Sequence, residues 1–204
     1  MHRLTIVIAS ALVLASCQSQ IDDKPAASVK EGGGARTAAT GKAFPIDAAS
    51  SKIGFVGAKV SDDHEGVFSE FSGEATIDGD TVTGLTLTVK TPSIDVEPQK
   101  LEDHLRSADF FDVEKHPTAT FHSTSITAKV DGQNTHVVDG TLDLRGVSKT
   151  ISFPAKITVE AGQATGHAQF TINRKDFGIV YAGMPDDLIN DEVLLKIDLR
   201  IPRA

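Results

Sequence analysis

Beyond about residue 45, apolar and polar residues alternate over most of the chain, the mark of strands with one face turned inward. Pro45 and Ile46 lead into a first strand that carries Ile53 and Phe55 toward Lys59. A polar turn, Ser61 to Gly66, separates it from a second strand in which Phe71, Gly73, Ala75 and Ile77 share a face. Asp78, Gly79 and Asp80 form the hairpin turn into a third, with Leu85, Leu87 and Val89 together. A fourth runs from Thr118 to Val130, and a fifth contains Val138, Gly140, Leu142 and Leu144. Arg145 and Gly146 turn the chain into a sixth, with Ile151, Phe153, Ala155, Ile157 and Val159. The seventh holds Ala164, Gly166, Ala168, Phe170 and Ile172 on one face. After a long loop, Asn173 to Asp191, a last strand alternates without fault through Val193, Leu195, Ile197, Leu199 and Ile201.

The alternation fails from Leu101 to Phe121. Leu101 and Leu105 stand one helical turn apart, Glu102 and Arg106 form a charge pair in the favourable order, Pro98 can open the helix and Ser107 begins its end. Phe110 and Phe111 follow side by side. Eight strands with tight turns, one short helical insert and no crossover helices predict an all-β, antiparallel sheet, packed as a sandwich or closed on itself. Eight is also the number at which a closed barrel can hold one small ligand. Gly166 and Ala168, small residues ahead of Phe170, suit a hollow interior and a tapered, filled one equally.

The first 42 residues read differently. Met1 to Arg3 is a short basic start, and Leu4 to Leu14 is an apolar run of about eleven residues, too short to span a bilayer. It ends in Leu14, Ala15, Ser16 and Cys17, which resembles a bacterial lipobox. The implied organisation is a signal peptide over 1–16, an acylated Cys17 opening a flexible tether over 17–42, and a barrel domain over 43–204. As a Gly-rich coil of about 25 residues, the tether would reach roughly 25 to 30 Å. Gln18 after the cysteine resembles the signal for an outer-membrane address, facing the periplasm of a bacterial envelope.

Composition narrows the function classes. Cys17 is the only cysteine, so with it acylated the mature domain has no thiol for disulfides, thiolate catalysis or metal ligation. A formal charge of -8 argues against nucleic acid as partner. Aromatic usage is lopsided, with 10 Phe against 1 Tyr and no Trp, and Phe gives bulk without a polar handle. There is no Gly-x-Ser-x-Gly elbow and no phosphate-binding Gly loop. His64 and Glu65 begin a zinc-protease pattern that fails at Phe68. His122 and His136 lie on separate strands and leave open a metal site across the sheet, and with it a metal-dependent hydrolase.

The run HLRSADFFDVEKHPTATFHS, from His104 to Ser123, closely resembles the signature of the YceI-like family, and Asn173 to Gly178, NRKDFG, resembles a second segment of it. Lys59 with His64, Gly66 and Phe68 resembles a pattern found in part of that family. The resemblance spans roughly Ala43 to Ala204. It implies an eight-stranded antiparallel lipocalin-like barrel that binds polyisoprenoid lipid, with no enzymatic activity and no cofactor beyond that lipid.

On this reading Phe55, Phe71, Phe121, Phe153 and Phe170 line a pocket from the strands, and Leu101, Leu105, Phe110 and Phe111 close one end. Lys59, His64 and Arg174 offer donors to a quinone or phosphate headgroup. A pairing of Arg174 with Asp176 would instead take it out of the mouth. The expected partners are an isoprenoid lipid and the membrane at Cys17, with a homodimer left open. The rival is an interaction lipoprotein whose barrel is filled by its own side chains.

Overall fold

Strand pairing runs a full circuit in the computed structural model, which describes residues 20–31 and 38–203. The signal segment, Cys17 and the Gly-rich stretch from 32 to 37 lie outside the described residues. Strand β3 (Lys52–Lys59) pairs with β4 (Asp63–Phe68), and two residues later the chain continues as β5 (Phe71–Asp78). That long double strand lies against β6 (Thr81–Lys90) and its own continuation β7 (Ile94–Val96). Ser69 N–H to the Ser93 carbonyl and Lys90 N–H to the Glu70 carbonyl carry the ladder across the break. From β6 the order is β8 (Thr118–Asp131), β9 (Asn134–Leu144), β10 (Val147–Val159), β11 (Gln163–Asn173) and β13 (Asp187–Pro202). Strand β13 returns to β3 and closes the ring. All these pairings are antiparallel, and counting each continued strand once, eight staves surround the core as the alternation predicts.

The differences from the sequence reading have local causes. Asp63–Phe68, expected mostly as a turn, is the first half of the second stave. Its inward positions, His64, Gly66 and Phe68, include only one large apolar side chain, too little to announce a strand among the charged residues around them. The last stave begins at Asp187 rather than Val193, and β12 (Gly183–Met184) folds back on its start as a small hairpin.

Two short strands fill gaps where neighbouring staves diverge. Strand β2 (Lys42–Pro45) adds to β5, and Asp47 N–H then reaches the Arg200 carbonyl on β13. Strand β1 (Ser28–Glu31) lies within the stretch expected to be a tether. Staves β10 and β11 pair directly only from Lys156 to Val159. Toward the other end β1 takes the place beside β10, from Ser28 against Ser152 to Glu31 against Lys149. On its far side Thr171 of β11 accepts from Ala27 N–H and donates to the Pro25 carbonyl. Ala27 and Val29 pack against the core, and Ile21 is buried on the outer face against Val56, Ala58 and Leu194. The segment is therefore part of the wall. Its burial is supplied by residues distant in sequence, from Val56 to Leu194, so local composition does not reveal it.

Inside, Phe rings lie over glycines. A Cβ on Gly140 would stand 2.3 Å from the Phe121 ring and 2.6 Å from the His122 carbonyl, and one on Gly66 would stand 2.4 Å from the Phe55 ring. Because backbone as well as ring must shift, Gly140→Ala should destabilise the barrel by about 1–3 kcal/mol. A urea midpoint lowered at unchanged slope would show it.

Candidate functional site: an apolar lumen closed by the helical insert

Inward side chains of all eight staves surround a cavity of about 290 Å3, at the lower edge of the roughly 300–1,000 Å3 usual for small-molecule sites. Phe55, Phe121, Phe153 and Phe170 line it from the strands, and Leu101, Leu105, Phe110 and Phe111 from the insert. The phenylalanines do not fill the hollow. Phe153 and Phe170 stack at 4.1 Å between ring centroids, with Phe121 tilted against Phe153 at 5.7 Å, so three rings form one aromatic cluster on that side of the wall. On the opposite side Phe68 bridges Phe55 and Phe111, at 5.8 and 5.7 Å.

Phe71 is a correction. Its face is the inward one, but at the break between β4 and β5 it is only partly buried against the core and does not line the cavity. Phe68, which the sequence marks as the end of the Lys59–His64–Gly66 pattern and not as a lining residue, takes the place expected of it.

The insert stands over one end of the barrel because its polar face is tied down. Helix α1 (Gln99–Arg106) starts after Pro98 and ends at Ser107, as the sequence predicts. Arg106 Nη1 lies 2.6 Å from Glu102 Oε1, while its Nε and Nη2 donate to the carbonyls of Pro92 and Ile94. The Glu102 carboxyl is held below its ordinary pKa, first by the Gln99 amide and then by Arg106 and the Val96 N–H. With one face clamped to β7, Leu101 and Leu105 turn to the lumen. Beyond the helix, Arg145 donates to the carbonyls of Ala108 and Gly178, tying the insert to the loop after β11. His104 meets Phe110 and Tyr181 edge-on, each at 4.9 Å, and lies 3.0 Å from Asp109. The sequence marked Arg145 only as a turn residue, since its partners are carbonyls of distant loops.

The three expected headgroup donors reach the cavity wall and part company there. Arg174 is buried at 4% exposure. It donates to the carbonyls of Ile179, Ile189 and Asn190, and its charge meets Asp191 at 3.2 Å rather than Asp176. Burial lowers its pKa, opposed by Asp191, yet a guanidinium stays charged. Every arm of the side chain is thus committed to holding the loop from 178 to 191. Lys59 Nζ is committed too, at 2.9 Å from Asp187, whose carboxyl is held below its ordinary pKa by Lys59 and Ser61. His64 lies beside Gly57 on the lining and makes no side-chain hydrogen bond among the described residues.

His122 and His136 do not share a site. In the β8–β9 register His136 faces Ala128, six residues along from His122, which is about 20 Å of strand. Among the described residues no three His, Cys, Asp or Glu side chains converge. His136 sits beside the Thr135 hydroxyl with its pKa lowered by burial, the condition of a structural histidine.

The chain resembles known proteins over most of this barrel. A UPF0312 protein of Pseudomonas aeruginosa, PA0423, is 34% identical over 122 residues, covering 56% of this chain and 62% of that protein. The chain therefore spans less than two thirds of that relative's length. The crystal structure of Burkholderia cenocepacia BcnA superposes with a TM-score of 0.68 at 26% identity, covering 76% of this chain and 98% of that one. A polyisoprenoid binding domain from Saccharophagus degradans, implicated in plant cell wall breakdown, gives 0.64 at 19% identity over 79% and 98%, a likeness of fold alone. The model of the YceI-like domain matches residues 44–201, from β2 to the end of β13. On that match, and on the closed eight-stave ring with its helical lid, the chain belongs to the YceI-like domain family.

Proposed function

We propose that this protein binds an isoprenoid lipid by its hydrocarbon chain, held at a bacterial membrane through an acylated Cys17 and facing the periplasm, and that it performs no bond chemistry. The observation that carries this reading is the lumen itself, a cavity lined by phenylalanine and aliphatic side chains from every stave. Each five-carbon unit buried there would contribute roughly 3 to 4 kcal/mol before ordering costs, at roughly 0.8 kcal/mol per CH2. A few units give useful affinity without any charged contact. Family membership supports the reading, as does a fold shared with a structure described as a polyisoprenoid binding domain. With Arg174 and Lys59 committed to structural partners, His64 is the donor we assign to a quinone or phosphate headgroup.

Native mass spectrometry of the protein purified from its own membrane tests the reading. The expected result is a bound mass in the isoprenoid range, identified after extraction. A barrel that is empty under mild conditions would favour a module that acts through its outer surface.

A further inference from the structure

The barrel carries an exposed apolar tip at the end where its N-terminal segment docks. Along the outer face of β3, Val56 and Ala58 are covered by Ile21, together with Leu194 of β13. The next residue of that row, Val60, is uncovered at 78% exposure, and its N–H donates to the carbonyl of Leu188, itself 51% exposed. Met184, 61% exposed, stands across the β12–β13 hairpin from Asp187. Three large apolar side chains thus stand exposed on two neighbouring loops, Val60 beside Leu188 and Met184 on the other face of the hairpin, where isolated ones would need no explanation. The sequence neighbours of Val60 and Leu188 on the inner face, Lys59 and Ile189, line the cavity. The tip therefore stands on the rim where the lumen wall ends.

We infer that Val60, Met184 and Leu188 dock into a phospholipid bilayer and set the lumen's rim against it. This rests on the acyl anchor proposed above. Cys17 precedes Gln20 by three residues, and three residues of fully extended chain span at most about 11 Å. Gln20 is already held to the barrel by Lys196 Nζ, and Ile21 is buried beside the tip. Cys17 thus lies at most about 11 Å from a residue fixed on the same outer wall whose apolar row ends in Val60, far inside the reach of a free tether. Docking is apolar rather than electrostatic. Lys59 is taken by Asp187, Lys196 by Gln20 and Glu65, and Asp62 and Asp186 stand exposed on the same loops. The surface that fits is a zwitterionic one, and anionic lipid should weaken the contact.

The lack of tryptophan makes the test clean. Acylated full-length protein carrying Leu188→Trp is mixed with phosphatidylcholine vesicles, with Val130→Trp on the turn at the opposite end as control. Flotation with the vesicles reads the anchor, and emission reads the tip. The expected result is a blue shift and quenching by brominated acyl chains for Leu188→Trp, neither for Val130→Trp, and loss of the shift when Val60→Asp and Met184→Asp are added. Protein that floats while Leu188→Trp emission stays unshifted would overturn docking and leave the anchor standing. Equal shifts at both positions would overturn the orientation. Protein that neither floats nor shifts would remove the anchor and the docking together, while the mass-spectrometric result for the lumen stands on its own.

Discussion

Gly166→Leu should abolish retention of an isoprenoid lipid while leaving the barrel as stable as before or more so. Gly166 lines the lumen on β11, and a Cβ built there meets nothing within 4 Å, as at Gly57 on β3. These are the two lumen positions where a glycine faces open space instead of a ring, so a side chain can grow into the cavity without moving the wall. A leucine adds four carbons, close to one isoprenoid unit, and displaces roughly 3 to 4 kcal/mol of ligand burial. Binding should weaken by about 100- to 1,000-fold, at 1.4 kcal/mol per tenfold. The folded state gains instead, because a strand glycine replaced without strain favours folding by up to about 1 kcal/mol. Bound lipid by mass spectrometry and the urea midpoint should therefore move in opposite directions. A filled lumen that still retained lipid would place the ligand elsewhere.

Arg174→Leu should cost about 3–5 kcal/mol of stability, because it strands buried partners instead of removing a surface charge. Three carbonyls lose their donor and Asp191 keeps only Lys175, at 2.8 Å. Lysine cannot stand in, since one ammonium does not reproduce a guanidinium fork that reaches Ile179, Ile189 and Asn190 in different directions. Arg174→Lys should recover only part of the loss. Thermal unfolding of the two variants separates this role from headgroup recognition. A headgroup donor would lose lipid with its melting temperature intact, whereas a brace loses the melting temperature first.

That residue also shows what could be read from the chain alone. Period-two alternation identified all eight staves and their inward faces, because the rule is local and each strand repeats it several times. The insert was equally legible from Leu101, Leu105 and the Glu102–Arg106 pair. Periodicity reports which face a residue occupies, but not whether its side chain reaches the cavity. Phe71 and Phe68 both face inward, and only the second reaches the lumen. Partners set by folding were hidden for the same reason. Asp191, not the nearby Asp176, meets Arg174, and β1 gains its place from Ser152 and Thr171. Residues with little local signal, such as Gly57 and Arg145, owe their importance to what the ring brings beside them.

The seam strand has a consequence for how the molecule comes to be made. Ser28 leaves the ribosome well before its pairing partner, Ser152, which follows 124 positions later. Closing a loop of that length is entropically unfavourable until the intervening staves have already drawn the ends together. This segment must wait, unpaired, while the staves that follow it assemble, and then slot in as a keystone.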